Sequence, residues 1–296
     1  MRHLLGIEGW RREEIEALLD RAEAHLPGGS ASSSVLQGRV VANVFFEDST
    51  RTRTSFEMAA KTLGAEVLNW TAQGSSISKG ETLLDTVRNI EATGPVALVI
   101  RHRSSGAPHL AARHVRCAVI NAGDGTHEHP SQALLDAFTL RRRWGALDGR
   151  TVLIVGDILH SRVARSNILC MKALGARVVV CGPPTLLPVG IQQLGTEVAM
   201  HLDPVLPQAD AVMCLRLQTE RQSESFFPST REFSRLYGLN AQRASKMKEG
   251  ALVMHPGPIN RGVELAPAVA DGARSVILEQ VANGVAVRRA ILEVCV

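Results

Sequence analysis

Residues 39–46 (RVVANVFF), 95–101 (PVALVIR), 117–123 (CAVINAG), 150–157 (RTVLIVGD), 176–182 (ARVVVCG), 210–216 (DAVMCLR) and 251–258 (ALVMHPGP) are short apolar runs without polar alternation. A strand with one wet face alternates every second residue, so unbroken runs read as strands buried on both faces. Residues 65–70 (AEVLNW) add a further strand. Between the runs the apolar spacing changes to helical. Ile15, Leu18, Leu19, Ala22 and Leu26 share one face of 11–26, and Leu83, Leu84, Val87 and Ile90 share one face of 80–94. Phe56, Ala59, Ala60 and Leu63 do the same ahead of Gly64, and Ser161–Leu174 follows suit. Strands alternating with helices predict an α/β fold: two doubly wound domains, each a mainly parallel sheet with helices on both faces, and an active site in the cleft between them.

The length of 296 residues suits two such domains. A helix over Pro130–Trp144, with Ala133, Leu134, Ala137 and Phe138 as its apolar stripe, is expected to carry the break, giving domains over 1–130 and 131–275. The final helix, read over 276–292 within a segment 276–296, is free by pattern to return to the first domain. Residues 28–34 and about 217–235 read as loops.

In open parallel sheets, ligands bind beyond the carboxyl ends of the strands. Here those ends read EDSTRTRT, RHRSSG, NAGDGTHEHPSQ, GDILHSRVARS, CLRLQTERQ and MHPGPINRG. Arginine, histidine, serine and threonine recur at nearly every one, which implies a substrate with several negative charges. The net charge is only +4 and aromatic content is 4%, short of the basic surface and stacking platforms of a nucleic-acid binder.

The stretch STRTR (49–53) sits where a strand turns into a helix. The first amides of a helix have no intrahelical partner and point outward, and the helix dipole favours an anion there. Ser49, Thr50 and Thr52 add hydroxyl donors, and Arg51 adds a planar fork suited to phosphate. The competing reading is simple capping by Ser49 or Thr50 with the arginines in solvent. His129, before Pro130, could likewise cap its helix, and Arg101 could be a surface charge at a strand end. Lys79, in a Gly/Ser-rich segment, could be a solvated lysine.

Taken in order, FFEDSTRTRTSFE, SKGETLLDT, VIRH, NAGDGTHEHPSQALLD, HSRVARS, RLQTER and HPGPINRG resemble the aspartate/ornithine carbamoyltransferase family over essentially the whole length. RLQTER and the HPGP segment, where the ornithine enzymes usually carry HCLP, point to the aspartate branch. The resemblance implies a carbamoyl-phosphate-binding domain at 1–130 and an aspartate-binding domain at 131–275. It also implies transfer of the carbamoyl group to the amino group of L-aspartate, a step of de novo pyrimidine biosynthesis. Carbamoyl phosphate would be held by Ser49, Thr50, Arg51 and Thr52, with Arg101, His129 and Gln132 around the carbamoyl end. Arg51, Thr52, Arg101 and His129 would be catalytic. Ser75 and Lys79 would reach a neighbouring subunit's site, which implies a homotrimer with shared active sites. Regulatory or dihydroorotase chains could be attached. Aspartate would be held by Lys79, Arg162, Arg216, Gln218, Gly257 and Pro258, with Arg165 and Arg221 as supporting charges. Gly257 stands where some relatives have a larger aliphatic residue, so any positioning there falls to its backbone carbonyl.

The remaining features narrow the field. VLIVGDILHSRVA has the strand–turn–helix form of a dinucleotide site but lacks GxGxxG, with His160-Ser161-Arg162 in the turn. A scaffold subunit is the other rival class, and every family position is filled. Five scattered cysteines without a CxxC pair argue for reduced thiols, with neither a disulfide framework nor a zinc site. No cofactor or metal is expected. No signal peptide or membrane span is read in the sequence, which places the chain in the cytoplasm.

Overall fold

The computed structural model describes residues 3–31, 34–72, 80–218 and 229–296. Two compact units divide the chain, Met1–Phe138 with Ala282–Val296, and Thr139–Val281. The division falls inside the helix that begins at Pro130, beyond the expected boundary at 130, and the second crossing falls inside the C-terminal helix.

The first unit runs α1 (Arg12–Ala24), β1 (Val40–Phe45), α2 (Thr50–Thr62), β2 (Glu66–Thr71), α3 (Leu83–Glu91), β3 (Ala97–His102), α4 (Ala107–Ala112), β4 (Ala118–Asp124) and the start of α5 (Pro130–Trp144). Its sheet has the order β2-β1-β3-β4, all parallel. Even-numbered Ala42, Val44, Leu98 and Ile100 pack with Val87, Ile90 and Ala111. Odd-numbered Val41, Ala97 and Val99 are equally buried on the other face. That is why the runs do not alternate. α3 starts later than the helix read over 80–94 because Thr82 and Asp85 close a capping box, with Thr82 Oγ1 accepting from the Asp85 amide at 3.2 Å.

The second unit runs from the rest of α5 through β5 (Thr151–Val155), α6 (Arg162–Ala173), β6 (Arg177–Cys181), β7 (Glu197–Ala199), β8 (Ala211–Cys214), α7 (Thr230–Tyr237), α8 (Ala241–Ala244), β9 (Leu252–Met254), α9 (Pro267–Ala270) and the start of α10 (Ile277–Cys295). The sheet order is β7-β6-β5-β8-β9, again parallel. Leu153, Val155, Val212, Cys214 and Val253 form a core with Phe233, Tyr237, Leu239 and Met247.

Several expectations need correction. α7 starts inside the stretch read as loop to 235, because Ser229 caps it by accepting from the Glu232 amide at 3.1 Å. The strand expected over 251–258 stops at Met254, where the Pro256–Pro258 segment has one amide to offer a ladder, that of Gly257. α4, β7, α8 and α9 were not foreseen: each is at most six residues, too short for a period to register. The last part of α10 belongs to the first unit. Arg288 donates to Ser55 Oγ at 2.9 Å and Arg289 to Thr62 Oγ1 at 2.7 Å, both on α2. His25, after α1, lies 2.9 Å from Glu293.

Candidate active site

In each sheet the strand order reverses at one point: between β1 and β3 in the first unit, and between β5 and β8 in the second. Beyond the carboxyl ends at such a reversal, neighbouring connections leave in opposite directions and open a crevice. Ser49, Thr50, Arg51, Thr52 and Arg101 sit at the first of these reversals and Arg162, Arg216 and Gln218 at the second, while His129 and Gln132 follow the edge strand β4 and Gly257 and Pro258 the edge strand β9.

In the first unit, β1 and β3 pair so that Phe45 faces Arg101, which puts the turn before α2 beside the end of β3. Ser49 is the N-cap of α2, yet its side chain makes no capping hydrogen bond. The opening turn of α2 has no acidic residue. Thr52 is buried, Ser49 half-buried, and Thr50 and Arg51 exposed. A positive helix end lined with hydroxyls and an arginine suits a phosphate. Arg101 is fixed on two sides: Nη2 lies 2.8 Å from Glu47 Oε1, and Nη1 donates to the Ala122 carbonyl at 3.3 Å. Burial holds the neighbouring His102 imidazole below its ordinary value, with the nearby Arg103 charge adding to the effect.

The loop after β4 is organised by the buried Asp124. Its carboxylate accepts from Gly106 N at 2.6 Å, Asn121 Nδ2 at 2.9 Å and Glu128 N at 3.1 Å, and lies 3.1 Å from His127 Nδ1. Burial pushes this carboxyl up, but the hydrogen bonds from His127, Asn121 and Gly106 outweigh it and hold it below the usual carboxylate value. Glu128 in turn accepts from Ile7 N at 2.8 Å and Glu8 N at 3.2 Å. The loop delivers His129, buried, at the entrance to α5, with Ser131 Oγ 3.5 Å from its Nδ1. Gln132, one turn on, donates from Nε2 to Asp136 Oδ1 at 2.9 Å. Ser49, Thr50, Arg51, Thr52, Arg101, His129 and Gln132 thus share the carboxyl edge of one sheet.

In the second unit, Arg162 opens α6 and is buried, with Ser161 Oγ capping the helix by accepting from Ala164 N at 3.1 Å. Asp157, fully buried, accepts from His160 N at 3.1 Å, lies 2.9 Å from His160 Nδ1, and accepts from Gln218 N at 3.3 Å. It therefore ties the turn after β5 to the segment after β8 that carries Arg216 and Gln218. The strands approach closely here. A Cβ on Gly156 (φ +137°) would meet the Leu215 carbonyl at 2.4 Å, so only glycine fits. Arg216 donates from Nη1 to the Leu217 carbonyl at 3.4 Å. Arg165 is half-buried, and its Nε is enclosed without a hydrogen bond among the described residues.

After β9, Gly257 (φ +71°) donates its amide to His255 Nδ1 at 2.8 Å. That bond makes Nδ1 the acceptor, so the ring proton is on Nε2, which faces Glu264 Oε1 at 3.1 Å. Glu264 also accepts from Asn260 N at 2.6 Å, and His255 N donates to Gln280 Oε1 at 3.0 Å. Gly257 and Pro258 therefore sit in a loop pinned at both ends. Ser75, Lys79 and Arg221 lie outside the described residues.

The residues the sequence reading overlooked are the acids: Glu47, Asp124, Asp136, Asp157 and Glu264. A search for cations passes over them. Spacing offered one clue, since Asp136 follows Gln132 by one helical turn in HPSQALLD. Of the groups that could share a cation, His109, Asp124 and His127 stand close together, as do Glu8, His127 and Glu128. In both, the buried carboxylate already accepts backbone amides. The five cysteines are buried, and burial pushes Cys117 and Cys181 up to about 12, which makes them poor nucleophiles.

The sequence model described as "Aspartate/ornithine carbamoyltransferase, carbamoyl-P binding domain" matches residues 2–142, and that of the "Asp/Orn binding domain" matches 148–295. The aspartate carbamoyltransferase catalytic subunit of Myxococcus xanthus is 80% identical over 295 residues, covering 100% of this chain and 99% of that one. The corresponding subunit of Frankia casuarinae is 58% identical, covering 98% of this chain and 92% of its own. Among solved structures, aspartate transcarbamoylase from Trypanosoma cruzi in complex with carbamoyl phosphate superposes with a TM-score of 0.88 at 32% identity, covering 99% of this chain and 95% of that one. The same enzyme with carbamoyl aspartate and phosphate gives the same TM-score, identity and coverage.

Proposed function

From its membership of the aspartate/ornithine carbamoyltransferase family, which matches across both halves establish, we propose how this chain transfers the carbamoyl group of carbamoyl phosphate to L-aspartate. The products are N-carbamoyl-L-aspartate and phosphate, a step of pyrimidine biosynthesis. The observation that carries the residue assignment is the uncapped start of α2 beside Arg101.

The phosphate of the donor takes the amides at the start of α2, the hydroxyls of Ser49, Thr50 and Thr52, and the fork of Arg51. Its carbamoyl end lies towards Arg101, His129 and Gln132. Aspartate takes its two carboxylates to Arg162 and Arg216, with Gln218 and the backbone of Gly257 and Pro258 directing the amine and Arg165 in support. The amine attacks the carbamoyl carbon, and negative charge grows on the carbonyl oxygen. Thr52, Arg101 and His129 stabilise that charge more in the transition state than in the ground state, which is what accelerates the step. The C–O bond to phosphate breaks, and phosphate takes the proton from the amine. No side-chain nucleophile is needed, so most of the rate comes from orientation and electrostatics.

Ser75 and Lys79 are assigned, on resemblance, to the phosphate site of a neighbouring subunit, with Lys79 also reaching aspartate, and Arg221 supports the aspartate side. This makes the working unit a homotrimer in the cytoplasm, open to regulatory or dihydroorotase partners. The test is carbamoyl transfer by purified protein with L-aspartate or L-ornithine as acceptor, scored by carbamoyl product and released phosphate. Product with aspartate alone is expected. Product with ornithine alone overturns the acceptor assignment, and no product with either overturns the reading.

A further inference from the structure

Gln132 has an amide with a donor end and an acceptor end of nearly the same shape. Which end faces a substrate decides what that substrate can be. Nε2 donates to Asp136 at 2.9 Å, and both residues are buried, Asp136 completely. An ionised carboxylate can only accept, so the partner fixes the amide: its NH2 turns to Asp136 and Oε1 points away. Oε1 accepts no hydrogen bond from any described residue.

Asp136 has a charge behind it. Arg288, reaching in from α10, is buried, donates to Ser55 Oγ at 2.9 Å, and lies 5.1 Å over the Phe56 ring. Burial lowers Arg288 to about 10 while Asp136 pulls it back up, so it keeps its proton at neutral pH. A cation there favours the ionised form of Asp136, which is the form that accepts.

We propose that Asp136 is a positioning residue that sets donor specificity, by holding Gln132 Oε1 ready to accept an N–H from the carbamoyl group. This rests on the reading of the site above and deepens it. An acyl phosphate with a methyl group in place of the NH2 offers Oε1 no proton and leaves it unsatisfied. A site built to bond one polar group rejects the analogue that lacks it. With Asp136→Asn the neighbour can donate as well as accept. Gln132 can then turn over and present NH2 to NH2.

The test compares carbamoyl phosphate with acetyl phosphate as donors to L-aspartate, in the wild type and in Asp136→Asn. Acetyl transfer balances in the same way: the amine attacks the acetyl carbon, the C–O bond to phosphate breaks, and phosphate takes the proton. The variant is expected to lose about tenfold or more in kcat/KM for carbamoyl phosphate, as a lost hydrogen bond to a buried group implies. Its kcat/KM for acetyl phosphate and its inhibition by inorganic phosphate, which has no amide to read, stay within about twofold. Asp136→Glu keeps an acceptor-only partner and restores part of the preference.

Equal loss with both donors, or weaker phosphate inhibition, makes Asp136 merely structural and overturns the proposal. An unchanged donor ratio overturns it too. Removing one charge of a buried pair can prevent folding, so Asp136→Asn with Arg288→Gln, which removes both, is measured alongside and read the same way. A wild type that transfers no carbamoyl group to aspartate overturns the underlying reading instead.

Discussion

α2 and α6 begin alike and are used differently. Each follows a strand at the reversal point of a parallel sheet, and each has a serine at its N-cap with an arginine close behind. In α6, Ser161 accepts the Ala164 amide and is buried, and Arg162 is packed away with it. In α2, Ser49 caps nothing and Arg51 lies at the surface. One helix start is capped by its own serine, and the other is not. A hydroxyl before a helix is therefore not a binding signal in itself. What distinguishes α2 is the second and third hydroxyl in STRTR, more donors than one cap can use.

The hardest test of this contrast is Arg51→Ala. Loss of one donor aimed at transferring charge costs on the order of 10²–10³ in rate, so kcat/KM for carbamoyl phosphate should fall by at least that much. The exposed side chain predicts a midpoint of denaturation close to wild type. Steady-state kinetics beside a urea titration checks both, and a stability loss that accounts for the rate would break the comparison.

A middle-sized effect belongs to Asp124, the acid that shapes the loop before His129. Its folded-state value lies below the ordinary carboxylate value. The unfolded chain therefore binds the proton first as pH falls. The stability from this group is fully present above about pH 4 and is lost as the solution is acidified through the folded value. Asp124→Asn should cost about 1–3 kcal/mol at pH 7, by leaving buried donors with a poorer acceptor, and flatten the acid limb of stability against pH. Denaturant unfolding from pH 3 to 7 reads this directly; an unchanged acid limb would discount the loop's dependence on that carboxylate.

The smallest effect is the sharpest comparison. Ser161→Ala should lose about 1 kcal/mol of stability, the usual cost of a cap. Ser49→Ala should lose almost none, yet weaken inhibition by phosphate. Should the two serines cost the same stability, α2 is capped after all.

The alternation of strands and helices was legible because burial on both faces of a parallel sheet leaves an unbroken apolar run, as in Val152–Val155. The start of α2 was legible too, since strand end, hydroxyls and apolar spacing are all local. Glu47 beside Arg101 was not, nor Arg288 beside Ser55: pairs this far apart in sequence leave no period to read. Asp136 was hidden differently. An acid on an inward helix face reads as a misfit in a core until its amide neighbour and its cation are in place.

The first unit is built from both ends of the chain, Met1–Phe138 and Ala282–Val296. On a ribosome, which delivers residues in order, this gives synthesis an asymmetry. The second unit, encoded later, is complete before the first. The first must wait with α2 and α1 partly bare until Arg288, Arg289 and Glu293 emerge to pair with Ser55, Thr62 and His25. A nascent chain stalled within the second unit's last residues would hold α2 and α1 in sequence before the helix residues that pair with them.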